Sequence, residues 1–118
     1  MHTVVEHPID AETASTVAAF LDRVATQFPF RSAILFGSRA RGVYQPESDA
    51  DVAVVLAGAH GAFMTTKLAL ADIAFDVMLE TGIRIEALPL WEDEWAHPET
   101  YRNPYLLQNI VRDGVLIR

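Results

Sequence analysis

Gly37 and Ser38 stand ten residues before the triplet Asp49-Ala50-Asp51, and these residue types can do phosphate chemistry together. A strand that ends in Gly-Ser ahead of a helical turn leaves backbone N–H groups pointing outward. With the helix dipole they make an anion site. Gly37 lets a phosphate approach the backbone, and the Ser38 hydroxyl is a further donor. Arg39 and Arg41 follow directly and bring charge-assisted donors. Asp49 and Asp51 are two apart on a strand, so both carboxylates leave the same face. Side by side they repel and raise each other's pKa. A cation between them removes that conflict. Carboxylates plus triphosphate oxygens suit Mg²⁺, which takes oxygen ligands and keeps some waters. A phosphate cradle beside a carboxylate pair is the outline of metal-assisted nucleotidyl transfer.

These residues need elements to hold them. Val17, Phe20, Leu21, Val24 and Phe28 recur at helical spacing, so 12–28 reads as an amphipathic helix with Asp10 as N-cap and Pro29 near its end. Ala33 to Phe36 reads as a buried strand stopping at Gly37, and Ser38 to Arg41 as a helical turn stopped by Gly42. A loop containing Pro46 leads to the strand Asp51–Leu56. Gly58-Ala59-His60-Gly61 is a turn. A long helix over 62–80 follows, closed by Gly82, with Leu70, Ala74, Val77 and Met78 on its buried face. Ile83 to Leu90 is a third strand, with Pro89 marking its end or a sheet edge. Residues 91–95 form an acidic-aromatic connection. Asn103 caps a last helix that begins with Pro104 and ends before Gly114, and 115–117 adds a short strand. This alternation implies helices packed on a small sheet, an α/β or α+β fold forming a single domain over 1–118.

Composition narrows the function classes. With 118 residues, 51% of them hydrophobic, the chain can fill one core. Sixteen acidic against nine basic residues give a net charge of −7. That surface argues against non-specific nucleic-acid binding and against docking on anionic membrane. Eight of the nine basic residues are Arg and only Lys67 is Lys, a bias toward local phosphate or carboxylate clamping. The absence of cysteine excludes a thiol nucleophile and any Cys-ligated metal. No apolar run reaches the roughly 20 residues of a membrane span. Met1–His7 lacks the pattern of a signal peptide, so the expected location is the cytoplasm.

The chain resembles the minimal nucleotidyltransferases of the DNA polymerase beta superfamily. Their signature is Gly-Ser, ten residues, Asp-x-Asp; Phe36 to Gly42 and Ser48 to Val52 match it in residue type and spacing. The resemblance implies a compact palm, a small mixed sheet with helices packed on it. It implies that AMP passes from ATP to a hydroxyl with release of pyrophosphate, with two Mg²⁺ at Asp49 and Asp51. Gly37, Ser38 and Arg39 would bind the nucleotide. The family also uses a third carboxylate on the next strand. Period-two alternation puts Arg84, Glu86 and Leu88 on one face, so Glu86 is the candidate third ligand and catalytic carboxylate. The family commonly has Asp there.

Small free-standing members of this family resemble the antitoxin half of two-component systems whose partner is a HEPN-domain protein. Such a partner would supply the acceptor hydroxyl. A nucleotide-binding module that neutralises its partner by occlusion is the alternative. A third reading is a small-molecule nucleotidyltransferase that builds its acceptor pocket as a homodimer. Trp91 and Trp95 read first as core or rim packing; with Tyr101 they are, as the second reading, aromatic anchors for a partner. Tyr44 stacks on a base or packs in its loop. His2, His7, His60 and His97 are scattered without metal-ligand spacing and read as surface residues.

Overall fold

A computed structural model of the chain describes residues 9–58 and 60–118. The readings made above of Met1–His7 and of Ala59 lie outside the described residues. The first helix, α1 (Ala11–Val24), is capped by Asp10, which accepts a 2.9 Å bond from the Thr13 N–H and a 2.6 Å bond from its hydroxyl. It is shorter than the expected 12–28. Residues 25–27 tighten into a turn in which the Gln27 and Phe28 N–H groups both reach the Val24 carbonyl. Pro29 disfavours a helical conformation at Phe28.

β1 (Phe30–Phe36) starts earlier than the apolar run suggested, because Phe30 pairs opposite Leu56 of β2 (Ala50–Leu56). α2 (Ser38–Arg41) lies between these strands and ends at Gly42. α3 (Phe63–Thr81) then leads to β3 (Ile85–Trp91), and Gly82 closes α3 with a 2.8 Å bond to the Met78 carbonyl. Leu70, Ala74 and Val77 are buried as expected. Ile73 joins them, whereas Met78 is only half-buried. Of residues 91–95, read above as a connection, Trp91 ends β3 and the rest lie in the short helix α4 (Glu92–Ala96), at whose start the Glu94 carboxylate accepts the Trp91 N–H. A 3₁₀ turn (Pro98–Thr100), α5 (Pro104–Asp113) and β4 (Val115–Leu116) complete the chain. Asn103 caps α5 through the Leu106 N–H.

The sheet order is β3-β2-β1-β4, with β3 parallel to β2 and the other pairs antiparallel. This is the expected small mixed sheet. β3 lies at its edge, which explains how Pro89 sits inside a strand. The helices α1 and α3 cover one face, burying Phe20, Leu21 and Val77 on Leu35, Val54 and Ile85. On the other face Leu107 and Ile110 of α5 pack on Ile34, Val55 and Leu90. Each fully buried Leu, Ile or Phe contributes about 1.5–3 kcal/mol. Among the described residues no helix is long and apolar enough to cross a membrane.

Candidate functional site

The site forms where β1 gives way to α2. Gly37 takes φ 75° and ψ −158°, a conformation open almost only to glycine. Any side chain would also collide, since an ideal Cβ would stand 2.2 Å from Asp51 Oδ2. Glycine is therefore what lets the Gly-Ser turn lie directly against the carboxylate. It offers no side-chain cap to the first turn of α2, whose leading N–H groups have no acceptor within the helix.

Strand register assembles the carboxylates. Asp51 lies opposite Phe36 of β1 and opposite Glu86 of β3. Burial pushes the Asp51 carboxyl up, and the charges of Asp49 and Glu86 push it further; Arg41 and Arg84 oppose them. Asp49 immediately precedes β2, and its Oδ2 accepts a 2.6 Å bond from Arg84 Nη1. The other arm of Arg84 stands 3.0 Å from Glu86 Oε2. Lys67, from α3, donates to Glu86 Oε1 at 3.1 Å and to the Ala87 carbonyl at 3.0 Å. Asp49, Asp51 and Glu86 thus share one corner, and cations hold both oxygens of Glu86. Among the described residues no three His, Asp or Glu side chains are arranged around one metal position. The chemistry of the pair still fits a hard cation: Asp49 and Asp51 offer only oxygen donors, and Asp51, raised first by burial and then by the charges of Asp49 and Glu86, is a carboxylate whose ionised form a divalent ion would stabilise.

Arg39 departs from its expected phosphate contact. It is only 2% exposed. Its guanidinium donates to the Ser48 and Pro46 carbonyls at 3.0 Å and to the Thr13 hydroxyl at 2.8 Å. The Tyr44 ring stacks 4.5 Å from it, and the Tyr44 hydroxyl donates to Asp10 at 2.6 Å. A planar five-donor group suits this task, because the loop between the two halves of the motif exposes carbonyls that need donors. Arg39 ties that loop to the N-terminus of α1, and Tyr44 packs in its loop. Arg41 is exposed and acts on Asp51 through its charge.

The aromatic anchors also need correction. Trp91 is 4% exposed, while Trp95 and Tyr101 are half-buried on the second core. Trp91, at the end of β3, packs in the core, and Trp95 of α4 and Tyr101 after the 3₁₀ turn pack against the second core with part of their surface open. His60 stacks on Trp91 with ring centroids 4.4 Å apart, and His97 is exposed beside Glu99. The unexpected site residues are Lys67 and Arg84. Arg84 shared a predicted face with Glu86, a usable signal; nothing in the sequence brings Lys67 of α3 to β3. Next to them a groove of about 350 Å³ runs between α3 and β3, lined by Met64, Leu68 and Phe75 as well as Lys67, Arg84 and Glu86.

A family model for the nucleotidyltransferase domain matches residues 17–117, which include the whole constellation. The chain belongs to that family. Two solved structures share the fold of this nucleotidyltransferase domain. One is a candidate nucleotidyltransferase from Sulfolobus solfataricus, with a TM-score of 0.57 and 23% identity over 88% of this chain and 78% of the other. The second is a toxin–antitoxin structure containing AMP-PNP, with a TM-score of 0.60 and 17% identity over 89% of this chain and 72% of the other. No curated protein sequence matches the nucleotidyltransferase domain.

Proposed function

We propose that this nucleotidyltransferase domain transfers AMP from ATP to a hydroxyl on a HEPN-type toxin partner in the cytoplasm, and so acts as an antitoxin. The observation that carries the reading is the packing of Gly37 onto Asp51, which sets a phosphate-approachable turn beside three acidic residues. The AMP-PNP in a toxin–antitoxin structure of the same fold supports an adenine nucleotide and a toxin partner. A protein acceptor is supported by the exposed apolar side chains that α3 presents beside the site, Met64, Leu68 and Phe75.

In this reading Ser38 and the first-turn N–H groups grip the β- and γ-phosphates. Two Mg²⁺ ions at Asp49 and Asp51 would supply charge neutralisation at the phosphates and the attacking oxygen. The acceptor oxygen bonds to the α-phosphorus, the bond to the β-phosphate oxygen breaks, and pyrophosphate leaves. Glu86, opposite Asp51 on the neighbouring strand, receives the hydroxyl proton. Glu86, steadied by Lys67, orients the hydroxyl.

The pairing of Glu86 with Lys67 and Arg84 favours a second reading, a nucleotide-binding module that neutralises its partner by occlusion. Intact-mass spectrometry separates the two. Mixed with Mg-ATP and the protein encoded beside it, the wild type should add the mass of one or more AMP groups to that protein. Asp49→Asn with Asp51→Asn should bind the neighbour and add nothing. Equal suppression of toxicity by both forms, with no added mass, would establish occlusion instead.

A further inference from the structure

Arg84 holds the position that a divalent cation would compete for. Its two arms bridge Asp49 Oδ2 at 2.6 Å and Glu86 Oε2 at 3.0 Å. Its backbone is fixed, because the Arg84 carbonyl accepts the Ala50 N–H at 2.9 Å at the start of β2. The side chain is 59% exposed, so it can leave for solvent without disturbing the sheet. Lys67 differs. Its side chain is 32% exposed and is tied to a backbone carbonyl as well as to Glu86.

Charge sharpens the point. Asp49, Asp51 and Glu86 are matched by Arg84, Lys67 and the nearby Arg41. The corner is therefore neutral on its own. A divalent ion arriving alone must displace a well-placed guanidinium and leave the corner positive. A triphosphate arriving with the ion restores the balance and gives the displaced guanidinium a new anion to meet.

We propose that Arg84 is a built-in competing cation that makes divalent-metal binding at Asp49 and Asp51 conditional on bound nucleotide. This rests on the reading that Asp49 and Asp51 hold the metal. Without nucleotide the guanidinium bridges the carboxylates and keeps metal affinity low. With nucleotide it moves off them, and Glu86 Oε2 is released together with Asp49.

The test is Mn²⁺ binding to the whole purified chain, read from the electron paramagnetic resonance signal of free Mn²⁺, with and without AMP-PNP. Wild type should bind Mn²⁺ weakly alone and much more tightly with AMP-PNP. Arg84→Ala should bind it roughly tenfold or more tightly without nucleotide, a typical size for one group acting on a metal site. The AMP-PNP enhancement should shrink to match. Arg84→Lys, which keeps the charge but loses the two-armed fork, should fall between. Mn²⁺ should also raise the melting temperature of Arg84→Ala more than that of wild type. Unchanged or weaker Mn²⁺ binding by Arg84→Ala overturns the proposal. Asp49→Asn with Asp51→Asn separates the two ideas: if that variant binds Mn²⁺ like wild type, the metal reading itself fails. If it loses Mn²⁺ while Arg84→Ala is unchanged, only the role of Arg84 fails.

Discussion

Arg39 donates to the Ser48 carbonyl just ahead of Asp49 and Arg84 donates to Asp49 itself, and the fold uses the two arginines in opposite ways. Arg39 is buried, and its donors are committed to two loop carbonyls and the Thr13 hydroxyl. Arg84 is exposed and meets only carboxylates that the chemistry needs. The first corner fixes the loop that carries the motif; the second leaves the edge of the site adjustable. The Arg39 guanidinium is expensive to remove because the buried Thr13 hydroxyl and two loop carbonyls would lose a charged donor together. One held between surface carboxylates contributes little to stability, since water screens the pair. The difference shows that position in the fold, and not residue type, decides whether an arginine is structural or exchangeable.

That comparison breaks first on stability. Arg39→Ala orphans three acceptors and should cost about 3 kcal/mol or more, lowering the melting temperature by more than roughly ten degrees. Arg84→Ala should cost no more than about 1 kcal/mol. Thermal and urea denaturation measure both, and equal losses would dissolve the distinction.

A smaller effect is expected at the junction between the two regions. Gly37→Ala puts a side chain into a glycine-only conformation and against the Asp51 carboxylate, at about 1–3 kcal/mol. The Asp51 carboxylate can escape only by swinging away, so Mg-ATP affinity by calorimetry should fall as well. A variant with lowered stability and unchanged affinity would show that Asp51 does not depend on the close approach.

The smallest effects sharpen the comparison through pH. At the fixed corner, burial raises the Asp10 pKa, but bonds from the Thr13 hydroxyl, the Tyr44 hydroxyl and the Thr13 N–H outweigh it and hold the carboxyl at about 2, below its ordinary 3.8. A depressed carboxyl stabilises the fold above its unfolded pKa, and that stability is lost as pH falls from about 4 toward 2. Tyr44→Phe should therefore flatten the acid side of the stability curve. At the adjustable edge Asp51 has the opposite sign. Its raised carboxyl favours the fold while protonated, and this is lost as pH rises through the folded pKa. Asp51→Asn should thus raise the melting temperature of the metal-free protein at neutral pH. A pH-independent Tyr44→Phe effect, or a lowered melting temperature for Asp51→Asn, contradicts the respective arm.

Much of this architecture was legible in the residues because the signals are local. Caps at Asp10 and Asn103, the stop at Gly82, and the alternation Arg84-Ile85-Glu86 depend on neighbours within a turn or a pleat. Element ends were less legible where tertiary pairing overrode them: Phe30 is in β1 because Leu56 lies opposite it, and Trp91 remains in β3 for the same reason. The short α4 was missed because its start depends on Glu94 reaching back to Trp91.

By itself the sequence determined the chemistry on offer: a Gly-Ser turn, an acidic pair at fixed spacing and alternating helices and strands to carry them. Those follow from backbone freedom, side-chain alternation and hydrophobic period, which act over a few residues. Only the tertiary structure decided which cation meets which carboxylate. Arg39 is adjacent in sequence to Ser38 yet points its donors into the loop and α1, while Lys67 and Arg84 come from α3 and from just ahead of β3 to hold Glu86. Ion pairing depends on distance and burial, and register and helix packing set both, so a linear spacing of charges carries no record of it.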